Sequence, residues 1–206
     1  MIAGSGCMSR RQAQLQDARP RSLGRHVDRE ARCSLLLIGG RSGVGKSSVG
    51  WEVSAQLRAA SVAHCFIEGD FLDQAYPAPP GDPSCTELTR RNLTALRRNY
   101  AELGHRRLIY TNTVSVVERE LVVAAMGGKV TTTAVLLTAA DDVANQRLSH
   151  RETGSQREAH VARGMAAARY LDAAAPPWVS RVSTDGRGVV EVAGEVIGLT
   201  GWLPEP

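Results

Sequence analysis

Apolar residues in this chain follow two rhythms that take turns from about residue 34 to residue 199. Ser34–Gly40 is continuous in Leu and Ile, the pattern of a strand covered on both faces within a parallel sheet. From Lys46 to Ala60 the apolar Val49, Val53 and Leu57 recur every fourth position, which predicts a helix with one buried stripe. Val62–Ile67 then predicts a short strand, and Thr86–Leu103 a helix whose stripe is Leu88, Leu93, Leu96 and Leu103. Arg107–Thr111 predicts a third strand, Ser115–Met126 a helix and Val130–Thr138 a fourth strand. Asp141–His150 and Gln156–Ala173 predict two helices about a turn, followed by a fifth strand at Val179–Ser183 and a closing helix at Val189–Leu199. The proline- and glycine-rich Tyr76–Ser84 can be neither helix nor central strand. Strands alternating with helices predict a three-layer α/β domain built on a parallel sheet.

Charge changes this picture at one end only. Residues 1–32 carry seven arginines against three acids, a net +4, and the whole chain is also +4. Residues 33–206 are therefore electrically balanced. The chain divides into a basic arm, 1–32, read as a solvated leader, and a folded domain, 33–206, with no basic face to suggest nucleic acid. The 206 residues and 43% apolar content suit one domain with a proper core. No run is long and apolar enough to span a bilayer, and the basic start has no apolar stretch behind it, so no secretory signal is expected. Cys7, Cys33, Cys65 and Cys85 show neither a CxxC pair nor metal-ligand spacing and read as free thiols of a cytoplasmic protein.

The junction of the first strand and first helix carries chemistry. Gly40-Arg41-Ser42-Gly43-Val44-Gly45-Lys46-Ser47 matches G-x-x-x-x-G-K-[ST] at every fixed position, and Ser48 follows it. Glycines let such a loop aim successive backbone N–H groups at phosphate oxygens, and the helix adds its positive N-terminal end to the same anion. In this role Lys46 reaches the β and γ phosphates and the Ser47 hydroxyl is a ligand of Mg²⁺, so ATP and Mg²⁺ are the expected cofactors. Only Lys46 and Lys129 are lysines among 25 basic residues, and one of them stands where a phosphate loop requires it. Neither follows an asparagine, which excludes the guanine-reading N-K-x-D of a GTPase. Asp185–Gly188 matches D-x-x-G but lies beyond the fifth strand, the wrong place for a switch. No transporter-type LSGGQ signature occurs, and no strand ends in the Asp-Glu pair of motor ATPases.

The phosphate loop in GGRSGVGKSS, the FIEGDFLD at the end of the second strand and the arginine-bearing segment after the fourth resemble the P-loop small-molecule kinases. That group includes the adenylylsulfate, gluconate and shikimate kinases and the antibiotic phosphotransferases of the chloramphenicol and tunicamycin-resistance type. The resemblance spans about residues 34–200. It implies a five-stranded parallel sheet of order 2-3-1-4-5 with a helical lid. It also implies transfer of phosphate from ATP to a hydroxyl of a small molecule, an antibiotic or nucleoside-type natural product being one class. The segment GDFLDQAYPAPP matches no substrate motif.

Asp70 stands just past a strand's C-terminal end, where open α/β sheets build ligand sites. In similar kinases an acid here accepts the acceptor's proton or orients the metal's waters; the alternative is a helix cap. Glu68 and Asp73 share the metal or hold substrate, or are structural. Arg147 and Arg151 lie four apart, hence on one helix face, and Arg157 follows the Gly154 turn. Converging guanidinium groups stabilise a transferring phosphoryl group, as in the family's lid, although a solvated charged helix reads the same way. Asn112 binds substrate or closes a turn. Of Arg90, Arg91, Arg97 and Arg98, one or two, with Arg91 as the candidate, read an anionic substrate while the rest face water. Thr184 and Arg187 follow the fifth strand, where similar kinases hold adenine. The expected partner is the small-molecule acceptor, with a homodimer left open. The reading from another class is a regulatory ATPase whose basic arm engages a protein.

Overall fold

Cys33–Gly39 forms strand β1 at the centre of a sheet because its side chains are apolar on both faces: Leu35, Leu36, Leu37 and Ile38 are all fully buried. The computed structural model describes residues 32–151 and 157–203, the side chains of residues 150, 151 and 157–163 excepted. The basic arm lies outside the described residues save for Arg32. After β1 come α1 (Lys46–Ala59), β2 (Cys65–Glu68), a single 3-10 turn (Gly69–Phe71), α2 (Thr86–Glu102), β3 (Arg107–Thr111) and α3 (Arg119–Met126). The chain continues through β4 (Val130–Thr138), α4 (Asp141–Arg151), α5 (Arg157–Ala174), β5 (Ser180–Ser183) and α6 (Val189–Thr200). The five strands are parallel in the order β2-β3-β1-β4-β5, as the resemblance implies.

Alternation along β1 sends Leu35 and Leu37 to one face and Leu36 and Ile38 to the other. The first pair packs with Leu93 of α2, Val122 and Met126 of α3 and Leu171 of α5. The second packs with Val49, Val53 and Leu57 of α1 and Val192, Val196 and Ile197 of α6. Helices thus cover both faces, and all strands end at one rim, where the loops gather. Among the described residues no helix is long and apolar enough to cross a membrane.

Three expectations are corrected. The second strand begins at Cys65, not Val62, because the Val62 N–H bonds back to the Leu57 carbonyl (2.8 Å) and closes α1. Helix α3 begins at Arg119, not Ser115. Residues 113–118 instead wrap the root of the phosphate loop: Gly40 N–H bonds the Thr113 carbonyl (3.1 Å), and Val116 presses against Gly39, where a Cβ would meet it at 2.9 Å. The stripe of α2 is not the leucine series. Leu96 and Leu103 are exposed, and the helix seats Leu93 and Arg97, the latter 2% exposed at the root of β1. Arg97 donates from Nη2 to Cys33 Sγ (3.5 Å), while its Nε and Nη1 are buried without partners. Arg90, Arg91 and Arg98 do face solvent.

Candidate active site

The phosphate loop occupies the turn from β1 to α1. Its glycines Gly40, Gly43 and Gly45 have φ of +141°, +83° and +103°, conformations that side chains resist. Two of them are also places of close approach. A Cβ on Gly40 would lie 2.7 Å from the Leu137 carbonyl oxygen, and one on Gly43 only 2.2 Å from that of Ala144. Gly45 has open space beside it and stands at the N-cap of α1, where no side-chain hydrogen bond caps the first-turn N–H groups. They open on a cavity of about 250 Å³ lined by Ser42, Gly43, Gly45, Lys46, Ser47 and Ser48 of the loop together with Asp70 and Arg147. Lys46 is buried there, its Nζ donating to the Arg41 carbonyl (3.3 Å). Val44, included among the nucleotide-contacting residues on the motif, packs into the core and also lines the neighbouring cavity beside Thr184.

Glu68 is the contact that sequence reasoning underweighted. The Ser47 hydroxyl donates to Glu68 Oε1 (3.0 Å), and the Thr111 hydroxyl donates to the same oxygen (2.9 Å). Strand ends bring them together: Glu68 closes β2, and its register partner on β3 is Thr111. The available signal was position, since Glu68 is the last residue of a strand that points at the phosphate loop. Asp70 is exposed on the cavity and caps nothing. Its Oδ1 accepts from Asn112 Nδ2 (2.9 Å). Asn112 closes the turn, because its Oδ1 also takes the Val114 N–H (3.0 Å), while its amide nitrogen holds Asp70.

Tyr110 precedes Thr111 on β3 and belongs to the core behind these residues. Its ring is buried beside Gly69, where a Cβ would lie 2.4 Å from the hydroxyl. Burial pushes its pKa well up, and the carboxylates of Asp70, Glu118 and Asp73 add to the rise. Glu118 is itself pushed up by burial.

The other expected residues divide between these surroundings and places apart from them. Asp73 does not line the cavity and bonds Gln74 Nε2 (3.0 Å). Arg91 sits in an outer groove of α2 with Arg90 and Arg98, away from the loop. Arg147 donates to Thr184 at Oγ1 (2.9 Å) and at its carbonyl (3.0 Å). With Thr184 and Arg187 it lines a second cavity of about 190 Å³ that shares Gly45, Ser48 and Arg147 with the first. Arg187 is held by Glu191 and Glu195, both at 2.7 Å, which raise its pKa. The side chain of Arg41 leaves the loop to pair with Asp141 and bond Asn145 Oδ1 (2.7 Å). The side chains of Arg151 and Arg157 lie outside those described.

Hydroxyl and carboxylate oxygens at Ser47, Glu68 and Asp70 form a hard donor set. Among the described residues no cluster of three or more His, Cys, Asp or Glu could enclose a metal. That combination fits Mg²⁺, which keeps waters and phosphate oxygens in its shell, and does not fit zinc.

No family model matches the sequence, nor does any curated protein. Solved structures do match. A gluconokinase from Sinorhizobium meliloti superposes with a TM-score of 0.51 at 19% identity, covering 80% of this chain and 90% of that one. The Deinococcus radiodurans tunicamycin resistance protein gives 0.55 at 21% identity, covering 82% and 96%. Shikimate kinase from Bacteroides thetaiotaomicron gives 0.53 at 17% identity, covering 81% and 97%. The fold is that of the P-loop kinases. Within that fold the cavity beside the phosphate loop lies at the rim where all five strands end.

Proposed function

We propose that this chain is an ATP- and Mg²⁺-dependent phosphotransferase acting on a hydroxyl group of a small molecule. The observation that carries the reading is that Asp70 and the phosphate loop line one cavity. A group able to take a proton thus stands beside the place built to hold phosphates. The uncapped start of α1, the loop N–H groups and Lys46 would hold the phosphates, and Arg147, Thr184 and Arg187 border the cavity suited to the nucleoside. Ser47, with Glu68 behind it, would hold Mg²⁺, which when bound neutralises charge on the phosphates. Asp70, held by Asn112, receives the acceptor's proton as the new O–P bond forms and the bond to the γ phosphorus breaks, releasing ADP.

The acceptor is proposed to be a metabolite or natural product. The similarity to a tunicamycin resistance protein supports an antibiotic or nucleoside-type compound, and that to the gluconate and shikimate enzymes a polyhydroxylated one. The test is a panel of such compounds incubated with ATP and Mg²⁺, read by mass spectrometry for a phosphorylated product. A product formed only with an acceptor, and in step with ADP, is expected. ATP hydrolysis that no compound alters, but that a protein partner stimulates, would favour a regulatory ATPase.

A further inference from the structure

Arg41 belongs to the phosphate loop by sequence, yet its side chain does not face the cavity. It is 3% exposed, and a guanidinium at that depth needs partners to offset its desolvation. It finds them on α4. Nη1 pairs with Asp141, and Nη2 donates to Asn145 Oδ1 (2.7 Å). Asp141 and Asn145 are four apart and so share one face of α4. The planar fork spans both, which a point-charge ammonium could not do. Nε is sealed without a partner, so the residue carries a cost that only the two-point contact explains.

The contact has no slack. Gly43 is flush against α4, with a Cβ position 2.2 Å from the Ala144 carbonyl oxygen. On the next helix, α5, the Cβ position of Gly164 is 3.6 Å from Arg41 Nη2. The loop therefore fixes both the rotation and the height of the first turn of α4. Arg147 leaves that helix two residues after Asn145, crosses to Thr184 and lines both cavities.

We propose that Arg41 is a positioning residue: by clamping Asp141 and Asn145 it sets the place of Arg147, and through it the affinity for the nucleoside part of the nucleotide. The proposal rests on the nucleotide reading above. It assigns Arg41 an action through α4 and not on the phosphates.

The test is binding of AMP-PNP with Mg²⁺ to the full chain by calorimetry, with inorganic tripolyphosphate as the ligand that lacks a nucleoside. Arg147→Ala is expected to weaken AMP-PNP by about 10- to 100-fold, the worth of a charged hydrogen-bonding group. Arg41→Ala should weaken it similarly, and the double variant should be no worse than Arg147→Ala alone, because both remove one interaction. Arg41→Lys should restore only part of the loss. Asp141→Asn combined with Asn145→Ala removes the clamp from the helix side, leaves the loop untouched and should match Arg41→Ala. Tripolyphosphate affinity should stay level in Arg41→Ala and in the Asp141/Asn145 variant, whose altered side chains do not line the cavity beside the phosphate loop. Losses that multiply in the Arg41/Arg147 double variant would overturn the proposal. So would unchanged AMP-PNP affinity in the Asp141/Asn145 variant, or a loss of tripolyphosphate binding in Arg41→Ala. Wild-type protein that binds neither ligand would overturn the nucleotide reading itself, and this inference with it.

Discussion

Ser47 donates its hydroxyl to Glu68 Oε1 at 3.0 Å, tying the first turn of α1 to the last residue of β2. The same oxygen takes Thr111 from β3 (2.9 Å), so Glu68 is held from two sides beside Ser47, which lines the cavity. On the reading proposed above, in which Ser47 would hold Mg²⁺, Glu68 would act on the metal's surroundings through this hydrogen bond.

Glu68→Gln keeps the shape and loses the charge. It should leave binding of ATP without metal close to wild type and remove most of the gain that Mg²⁺ confers. Ser47→Ala should act in the same direction. Titrations with and without Mg²⁺ separate the two conditions, and an undiminished Mg²⁺ effect in Glu68→Gln would take Glu68 out of the metal's surroundings.

Asp70→Asn should bind AMP-PNP normally and lose turnover by roughly 10²–10⁴-fold, the usual contribution of positioned proton transfer. Asn112→Ala should show a smaller loss, because it frees the Asp70 carboxylate and opens the turn at Val114. Comparing kcat with nucleotide affinity in both variants is the check. Wild-type turnover in Asp70→Asn would move the base to another group.

The fold was legible because β1 is an unbroken apolar run and because short strand-like segments alternate with helix-length ones from β1 to α6. In α2 the pattern misled: Leu96 and Leu103 look like core and are exposed, whereas Arg97 looks like surface and is buried. Composition cannot reveal that a guanidinium is sealed at the root of β1. The phosphate loop was legible as a local motif, since its glycine spacing alone sets its shape. The partners of its residues were not. Glu68 with Ser47, Arg41 with Asp141 and Arg147 with Thr184 join residues 21, 100 and 37 apart, and only the sheet order brings them together. Its place on the helix after the proline loop makes Arg91 a candidate for reading an anionic substrate. Helical phase put it on the outer groove.

Gly43→Ala should be severe. The added methyl meets the Ala144 carbonyl carbon and oxygen at 3.0 and 2.2 Å, at a φ of +83°. Backbone strain and overpacking together should cost about 2–4 kcal/mol. Denaturant titration should show that loss, and nucleotide binding should fall with it. A loss below about 0.5 kcal/mol, the scale of an ordinary surface change, would mean that the loop does not rest on α4.

Alkaline pH should destabilise the fold. Burial pushes the Cys65 thiol from 9.0 up to about 11, and burial likewise raises Tyr110 above 10.0. A group whose folded pKa is raised contributes stability that is fully present below its unfolded pKa and is lost as pH rises through the folded value. For Cys65 that window runs from pH 9.0 to about 11. Unfolding free energies measured across it should fall, and Cys65→Ala should fall less steeply. Equal slopes would show that Cys65 plays no part in the loss.

The central claim is that the phosphate loop holds ATP so that Asp70 can direct its γ-phosphoryl group to a small-molecule hydroxyl. The most direct measurement follows γ-labelled ATP incubated with the protein, Mg²⁺ and a fractionated pool of small metabolites and natural products. The label should move into a phosphorylated small molecule, and the transfer should vanish in Lys46→Ala and in Asp70→Asn while Asp70→Asn still binds AMP-PNP. Label found only in inorganic phosphate, at a rate that Asp70→Asn leaves unchanged, would contradict it.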